Sequence, residues 1–533
     1  MLGFLFPFLS PARFPSPARF PLPRLALLRL AAVLVISGPG IGAGGCRAEP
    51  PGVGAQRPVA DLLHWPVPAA PALAGPQPVL WVSLAAQLRG PGDLYLDSAA
   101  GSLKLRDATG LQLEAPQLAL RWTRQNLARP MRIRRLVLGP FASYESASAV
   151  ATRWRLAGAQ PLVARPGDWE VWAPAASPAL PGQRPRLLER SETWAWQPAL
   201  RRAGRWQPLQ GPLQLAAPGG LRWKGGTYAG SFRLQADAHG GWTLVEQVPL
   251  ERYLLGVVPL EIGAGAPPAA LAAQAVLART WAIANQRRFS VDGYHLCADT
   301  QCQVYGDPGA VAPVLRRAIL ASAGRVLAWQ GQPIHAVYHA SNGGVAAGFE
   351  ESWDGAPLPY LRPQLDGPPS GTRPLALPLD QAAVTVLLGR SSGFYGFEHP
   401  SFRWQRVLDA NALAAALGPG APDLGLPSRI AVLERGASGR VTALEIRGTT
   451  RVVLRRDAIR RTIRQLPSTL FNVEALGPGR WRFVGGGYGH GAGLSQAGAI
   501  DLAARGWSME RILQRYYPGT QLLPLTGLSR SEP

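Results

Sequence analysis

Two short segments of this 533-residue chain gather side chains able to do chemistry. In Gly485-Gly486-Gly487-Tyr488-Gly489-His490-Gly491-Ala492-Gly493-Leu494-Ser495-Gln496 a lone imidazole sits among closely spaced glycines. Glycine admits positive φ and close approach, so such a loop can turn its amides toward a ligand. His490, Ser495 and Gln496 then add donors and acceptors suited to a hydroxyl-rich substrate. A tight turn around a buried, satisfied histidine is the plainer alternative. The second segment carries His295, Cys297 and Cys302. In an oxidising compartment the two cysteines form a local disulfide, and with the histidine they also have the ligand types of a structural zinc site, so both readings stay open. A Ser/His hydrolase is set aside, because no acid is placed to orient His339 or His490.

A third stretch, Val248-Pro249-Leu250-Glu251-Arg252-Tyr253-Leu254-Leu255-Gly256-Val257-Val258-Pro259-Leu260-Glu261, followed by Ala269 to Ala282 with Gln274, Arg279 and Thr280, resembles the opening signature of the SpoIID/LytB family. Cys297 to Tyr305, Tyr338-His339-Ala340-Ser341-Asn342-Gly343-Gly344, Pro359-Tyr360-Leu361 and the Gly-rich loop follow in the family's order, over roughly residues 205 to 522. The resemblance implies a cell-wall protein, either a lytic transglycosylase acting on peptide-poor peptidoglycan glycan strands or a non-catalytic enhancer of a cell-wall amidase. It places the family's essential glutamate at Glu261, where Val257, Val258, Pro259, Leu260 and Ile262 are apolar enough to desolvate a carboxylate and raise its pKa. It matches Arg279 with a functionally important arginine, which would orient Glu261 or bind an acidic group. It also implies a saccharide groove lined by Ser341, Tyr488, His490 and Gln496, with Trp353 as a further aromatic face. Some members bind zinc through a histidine and this cysteine pair, though His295 sits closer to Cys297 than that histidine does. Glu251 reads instead as structural, an acid that pairs or caps at a strand-to-helix entry.

The elements that must position these residues point to an α+β fold, a SpoIID-type mixed domain over 204–525 behind a smaller β-rich and α+β region over 79–203. Thr227 to Leu234 and Trp242 to Val245 alternate as half-buried strands. Pro267 and Pro268 open an Ala-rich helix reaching about Gln286. Gln496 to Ala504 and Ser508 to Tyr516 read as helices stopped by Gly506 and by Pro518-Gly519. Upstream, residues 132–173 read as strand, helix, strand, strand, with Ala147, Val150, Ala151 and Trp154 on one helix face; this piece resembles part of a SPOR domain. Residues 365–428 align with nothing in the family, and 526–533 form a tail.

The N-terminus bounds the setting. Leu25 to Ile36 is apolar and preceded by Arg13, Arg19 and Arg24, the layout of a secretory signal over 1–46 rather than a membrane span. Export to the periplasm or cell envelope follows, with Cys46 a candidate for lipidation and peripheral or lipid-anchored membrane association. Residues 47–78, rich in Pro, Ala and Gly, read as a linker. A net charge of +22 would ordinarily raise nucleic acid as a partner. Here lysine occurs only at Lys104 and Lys224 and the arginines are scattered, so peptidoglycan or an anionic envelope surface is the expected partner and nucleic acid is not.

Overall fold

The computed structural model describes residues 61–529. The expected signal segment 1–46, with Cys46, and the first part of the expected linker lie outside the described residues. What remains of that linker is bound to the body rather than free. Leu62 exchanges backbone hydrogen bonds with Arg132 and Arg134 at 2.9 Å, and Trp65 donates to the Ala238 carbonyl.

The fold is mixed α+β, and one thirteen-stranded sheet dominates it. Its strands are β1 (Val79–Leu88), β2 (Asp93–Ser98), β3 (Leu103–Arg106), β4 (Gln112–Ala115), β5 (Gln117–Phe141), β6 (Leu162–Ala164), β7 (Trp169–Pro174), β8 (Arg186–Arg202), β9 (Arg205–Pro208), β10 (Leu213–Trp223), β11 (Gly226–Ala236), β12 (Trp242–Pro249) and β13 (Leu296–Cys297). The first strand lies between β12, antiparallel, and β13, parallel, with Ser83 opposite Cys297. The sheet therefore runs straight across the expected boundary at residues 203 and 204. Along β10, Leu213, Leu215 and Ala217 point inward while the residues between them are exposed, the period-two signature of a strand with one buried face.

The piece resembling a SPOR domain has the expected order: the end of β5, then α1 (Tyr144–Leu156), β6 and β7. Ser143 caps α1 by accepting from the Ser146 amide, and Ala147, Val150, Ala151 and Trp154 are buried, so the helix face is the one its spacing predicts. It is not a separate module, because β5 and β7 are rungs of the main sheet.

Beyond the sheet, α2 (Leu250–Glu261) starts directly at the end of β12, and α3 (Pro268–Ala284) begins behind Pro267. Fourteen successive α3 residues from Ala270 to Ile283 are buried. A helix apolar all round needs cover on every side. α2, the helix Pro313–Leu320 and the C-terminal helices Gln496–Ala504 and Met509–Tyr516 supply it. The final strand Gln521–Pro524 returns to pair with Arg325–Trp329.

The segment that aligns with nothing is larger than 365–428. It opens a layer with its own cores, one around Trp404, Leu413, Leu444, Phe471 and Phe483 and a smaller one around Val384, Leu387 and Phe394. Two three-stranded antiparallel sheets carry it. The layer is an insertion whose ends meet: Ala347 donates to the Gly491 carbonyl at 2.9 Å, and Tyr338–His339 pairs in parallel with Leu494–Ser495.

Candidate functional site

Glu261 is the last residue of α2, partly buried, with no basic residue in that helical turn. Burial raises its carboxyl pKa, against one hydrogen bond that favours the anion, from the Val304 amide to Oε1 at 2.9 Å. The negative end of the helix dipole acts in the same direction as burial. The loop that supplies Val304 also supplies Gln303, which is buried. Its Oε1 accepts from the Tyr253 hydroxyl at 3.2 Å, and its Nε2 donates to the Tyr338 hydroxyl at 2.9 Å. Burial and the neighbouring Glu261 charge hold both phenols far up, so they stay protonated. Gln303, Tyr253 and Tyr338 were not singled out from the sequence, although all three stand inside motifs that were.

Glu251 and Glu261 are separated by ten residues of one helix, a rise of about 15 Å. That exceeds the spacing of the paired carboxylates in ordinary glycosidases. Glu251 is committed elsewhere. Arg279, fully buried in α3, donates from Nε and Nη2 to its two carboxylate oxygens, each at 2.7 Å, and from Nη1 to the Arg325 carbonyl at 2.9 Å. Arg279 therefore neither touches Glu261 nor faces a groove; it fastens α3 to the start of α2. The structural reading of Glu251 is the one this geometry matches.

The Gly-rich loop turns several of its amides onto the chain itself. Its glycines let two backbones cross: a Cβ on Gly487 (φ +82) would stand 2.6 Å from the Ser341 carbonyl oxygen, and one on Gly343 (φ +72) would meet Gly486 at the same distance. The amides go inward, Tyr488 to Ser341 at 2.7 Å and Gly489 to Pro467 at 3.0 Å. His490 has both ring nitrogens satisfied. Nδ1 accepts from the Ala492 amide at 3.2 Å, which assigns the proton to Nε2 and its bond to the Tyr338 carbonyl at 2.9 Å. Burial and then the Arg460 charge push its pKa down to about 3, so the ring is neutral. It lies between His339, at 5.1 Å, and Trp353, at 4.8 Å.

Ser341 is buried and pairs its backbone with Tyr488, while Gln496 is buried against Gln274 of α3 at 3.4 Å. Tyr488, half exposed, is the expected groove residue that reaches solvent most. With His490 and Trp353 it lines a cavity of about 830 Å³, while Ser341, Gln496 and Glu261 are not among its lining residues. Gly389-Arg390-Ser391-Ser392-Gly393 has nucleophile-elbow spacing but follows the helix Gln381–Leu388 instead of a strand, so it is not an elbow.

Cys297 and Cys302 are joined as a disulfide. Both nitrogens of His295 are taken by main chain: Nδ1 accepts from the Trp81 amide and Nε2 donates to the Pro71 carbonyl, each at 2.9 Å. This donor set does not fit zinc, since the sulfurs are bonded to each other and the imidazole is pinned to β1 and the strap before it.

Residues 238–329 match the family described as stage II sporulation protein, SpoIID, and residues 347–493 match a domain of unknown function, DUF8618. Stage II sporulation protein D of Bacillus subtilis (strain 168) is 26% identical over 299 residues, 52% of this chain and 75% of its own length. Its namesake from Bacillus amyloliquefaciens is 27% identical over 297 residues, with the same two shares. The amidase enhancer of Bacillus subtilis (strain 168) is 28% identical over 293 residues, 50% of this chain and 40% of its own. This chain carries a SpoIID domain of the SpoIID/LytB family. The SpoIID match holds Glu251, Glu261, Arg279, His295 and both cysteines, whereas Tyr488 and His490 fall within the inserted domain of unknown function. Tyr338 lies between the two matches and touches both sides, its hydroxyl on Gln303 and its carbonyl on His490.

Proposed function

We propose that this SpoIID-domain protein is exported to the cell envelope and cuts peptide-poor peptidoglycan glycan strands between N-acetylmuramic acid and N-acetylglucosamine as a lytic transglycosylase. The observation that carries the reading is Glu261, a single desolvated carboxyl at a helix end, with no second carboxylate acting on it among the described residues. The reaction needs only one. Glu261 in its acid form protonates the departing glycosidic oxygen, and the C6 hydroxyl of the same muramic residue closes on C1, giving a 1,6-anhydro end. The hydroxyl proton returns to the Glu261 carboxylate, which restores the acid. A raised pKa keeps the acid form populated at the start of the cycle. Gln303, Tyr253 and Tyr338 hold the wall behind Glu261. Among the described residues no helix is long and apolar enough to cross a membrane.

The test incubates the protein and its Glu261→Gln variant with purified strands, with and without peptide stems, and identifies products by mass. Anhydro-ended fragments from the unsubstituted protein alone support the lytic reading. Intact strands that co-sediment with both proteins support the second reading, a non-catalytic enhancer of a cell-wall amidase. Two observations favour that alternative: the likeness to an amidase enhancer, and a large cavity whose lining leaves Glu261 out.

A further inference from the structure

Four parts of the chain remote in sequence wall this cavity: Ser143 and Glu145 at the start of α1, Arg288 behind α3, the disulfide loop at Thr300 and Gln301, and the inserted layer. Six arginines line it against three carboxylates. Half of those arginines are already neutralised. Arg288 donates to Glu145 at 2.8 Å, Arg461 to Asp168 at 3.0 Å, and Arg456 to Asp354. Arg406 and Arg464 stand exposed at the mouth.

Arg460 differs from all of these. It is partly buried, and among the described residues its side chain makes one hydrogen bond, from Nε to the Pro467 carbonyl at 3.0 Å, and no ion pair. Its two terminal nitrogens carry no protein acceptor. The nearest acid in sequence, Asp457, instead accepts from the hydroxyls of Ser143 and Ser146. The Arg460 charge reaches the aromatic wall, where it is the foremost charge acting on His490. A guanidinium with its outer fork free, beside a half-exposed tyrosine and a tryptophan, fits a planar two-oxygen anion attached to a sugar ring.

We propose that this cavity is an anion subsite for a carboxylate-bearing sugar residue, with Arg460 as the residue that determines its specificity. The choice of sugar rests on the glycan-strand reading above. On such a strand the muramic lactyl group is an amide where a peptide stem is attached and a free carboxylate where the stem has been removed. The inserted domain would then select stripped strands, while the SpoIID portion supplies the acid.

The experiment measures binding at fixed salt of four probes: stripped strands, stem-bearing strands, chitooligosaccharide without lactyl groups, and polyglucuronate. The full chain is compared with Arg460→Gln and Arg460→Lys. The unsubstituted protein is expected to bind stripped strands at least about tenfold more tightly than chitooligosaccharide or stem-bearing strands, the scale of one charge-assisted hydrogen-bond pair. Arg460→Gln is expected to bring stripped strands within about twofold of chitooligosaccharide while leaving chitooligosaccharide binding unchanged, that being the result of deleting one charged pair. An Arg460→Gln variant that keeps the preference overturns the proposal. If that variant does not fold, Arg460→Lys decides, because it keeps the charge and loses the fork; a preference undiminished there overturns the proposal equally. Polyglucuronate held as tightly as stripped strands, and released by Arg460→Gln, assigns the subsite to carboxylates on sugars generally. Polyglucuronate binding that depends on Arg460 with no strand binding at all sinks the glycan-strand reading and leaves the subsite standing. Binding of none of the four overturns both.

Discussion

The Glu261 wall and the arginine-lined cavity are built in opposite ways. The polar groups around Glu261 come from the SpoIID portion and the strand that follows it: a helix end, the loop holding Gln303 and Val304, and Tyr338. The result is one carboxyl with its charge disfavoured. The cavity draws on α1, the disulfide loop and the insertion, and leaves one partly buried guanidinium with its two terminal nitrogens unpaired. On the proposed reading, chemistry that needs a shifted proton is served by short-range burial, whereas recognition of an anionic glycan is served by charges brought together from afar. Tyr338 links the two regions, its hydroxyl on Gln303 and its carbonyl on His490.

The sharpest break in that comparison is Glu261→Gln. Cleavage is expected to fall by about 10²- to 10⁴-fold while strand binding persists, measured by anhydro-product yield beside co-sedimentation. An equal loss of binding would erase the division of roles. Because the acid form does the work, cleavage is also expected to decline as pH rises through the raised Glu261 pKa.

Next in size is the fastening beneath the wall. Glu251→Gln or Arg279→Met leaves half of a buried bidentate pair, and a loss of about 3–5 kcal/mol is expected from denaturant unfolding. If Arg279→Met unfolded normally but failed to bind glycan, Arg279 would belong to the recognition side after all.

The disulfide closes a short loop, so Cys297→Ser is expected to cost about 2 kcal/mol, and thiol labelling of the denatured, unreduced protein is expected to find neither Cys297 nor Cys302 free. One equivalent of zinc that is lost in Cys297→Ser would reverse this.

The smallest effect separates two titrating groups on the cavity wall. His490, lowered to about 3, binds fewer protons folded than unfolded between that value and its ordinary 6.5. Its contribution is present above 6.5 and lost as pH falls toward 3. Asp457, raised to about 6 chiefly by burial, works the other way: its contribution is present below 3.8 and lost as pH rises through 6. His490→Gln is therefore expected to flatten the rise of the unfolding midpoint with pH across this window, and Asp457→Asn to steepen it. A common direction for both would show that the two groups do not titrate as their burial implies.

Much of the local architecture was legible beforehand because it is written in spacing. The buried face of α1, the strands of β11 and β12, the proline-led α3 and the glycine-stopped C-terminal helices each follow from periodicity and from residues that restrict φ. Glu251 could be read as a pairing acid from its place at a helix start, although its partner could not. Glycine density marks close backbone approach, and here the chain's own Ser341–Gly343 segment is one backbone that approaches.

Sequence alone determined the SpoIID membership, the candidate acid Glu261 and the mixed α+β class, because ordered motifs and local periodicity survive without knowing what lies across the fold. Tertiary structure decided that Arg279 is buried on Glu251, that His295 is held by main chain while its neighbouring cysteines pair, and that Arg460 is the partly buried arginine of the cavity left without a carboxylate. In a chain this rich in arginine no local pattern marks one of them, since whether a guanidinium meets a carboxylate depends on segments hundreds of residues apart coming to the same wall.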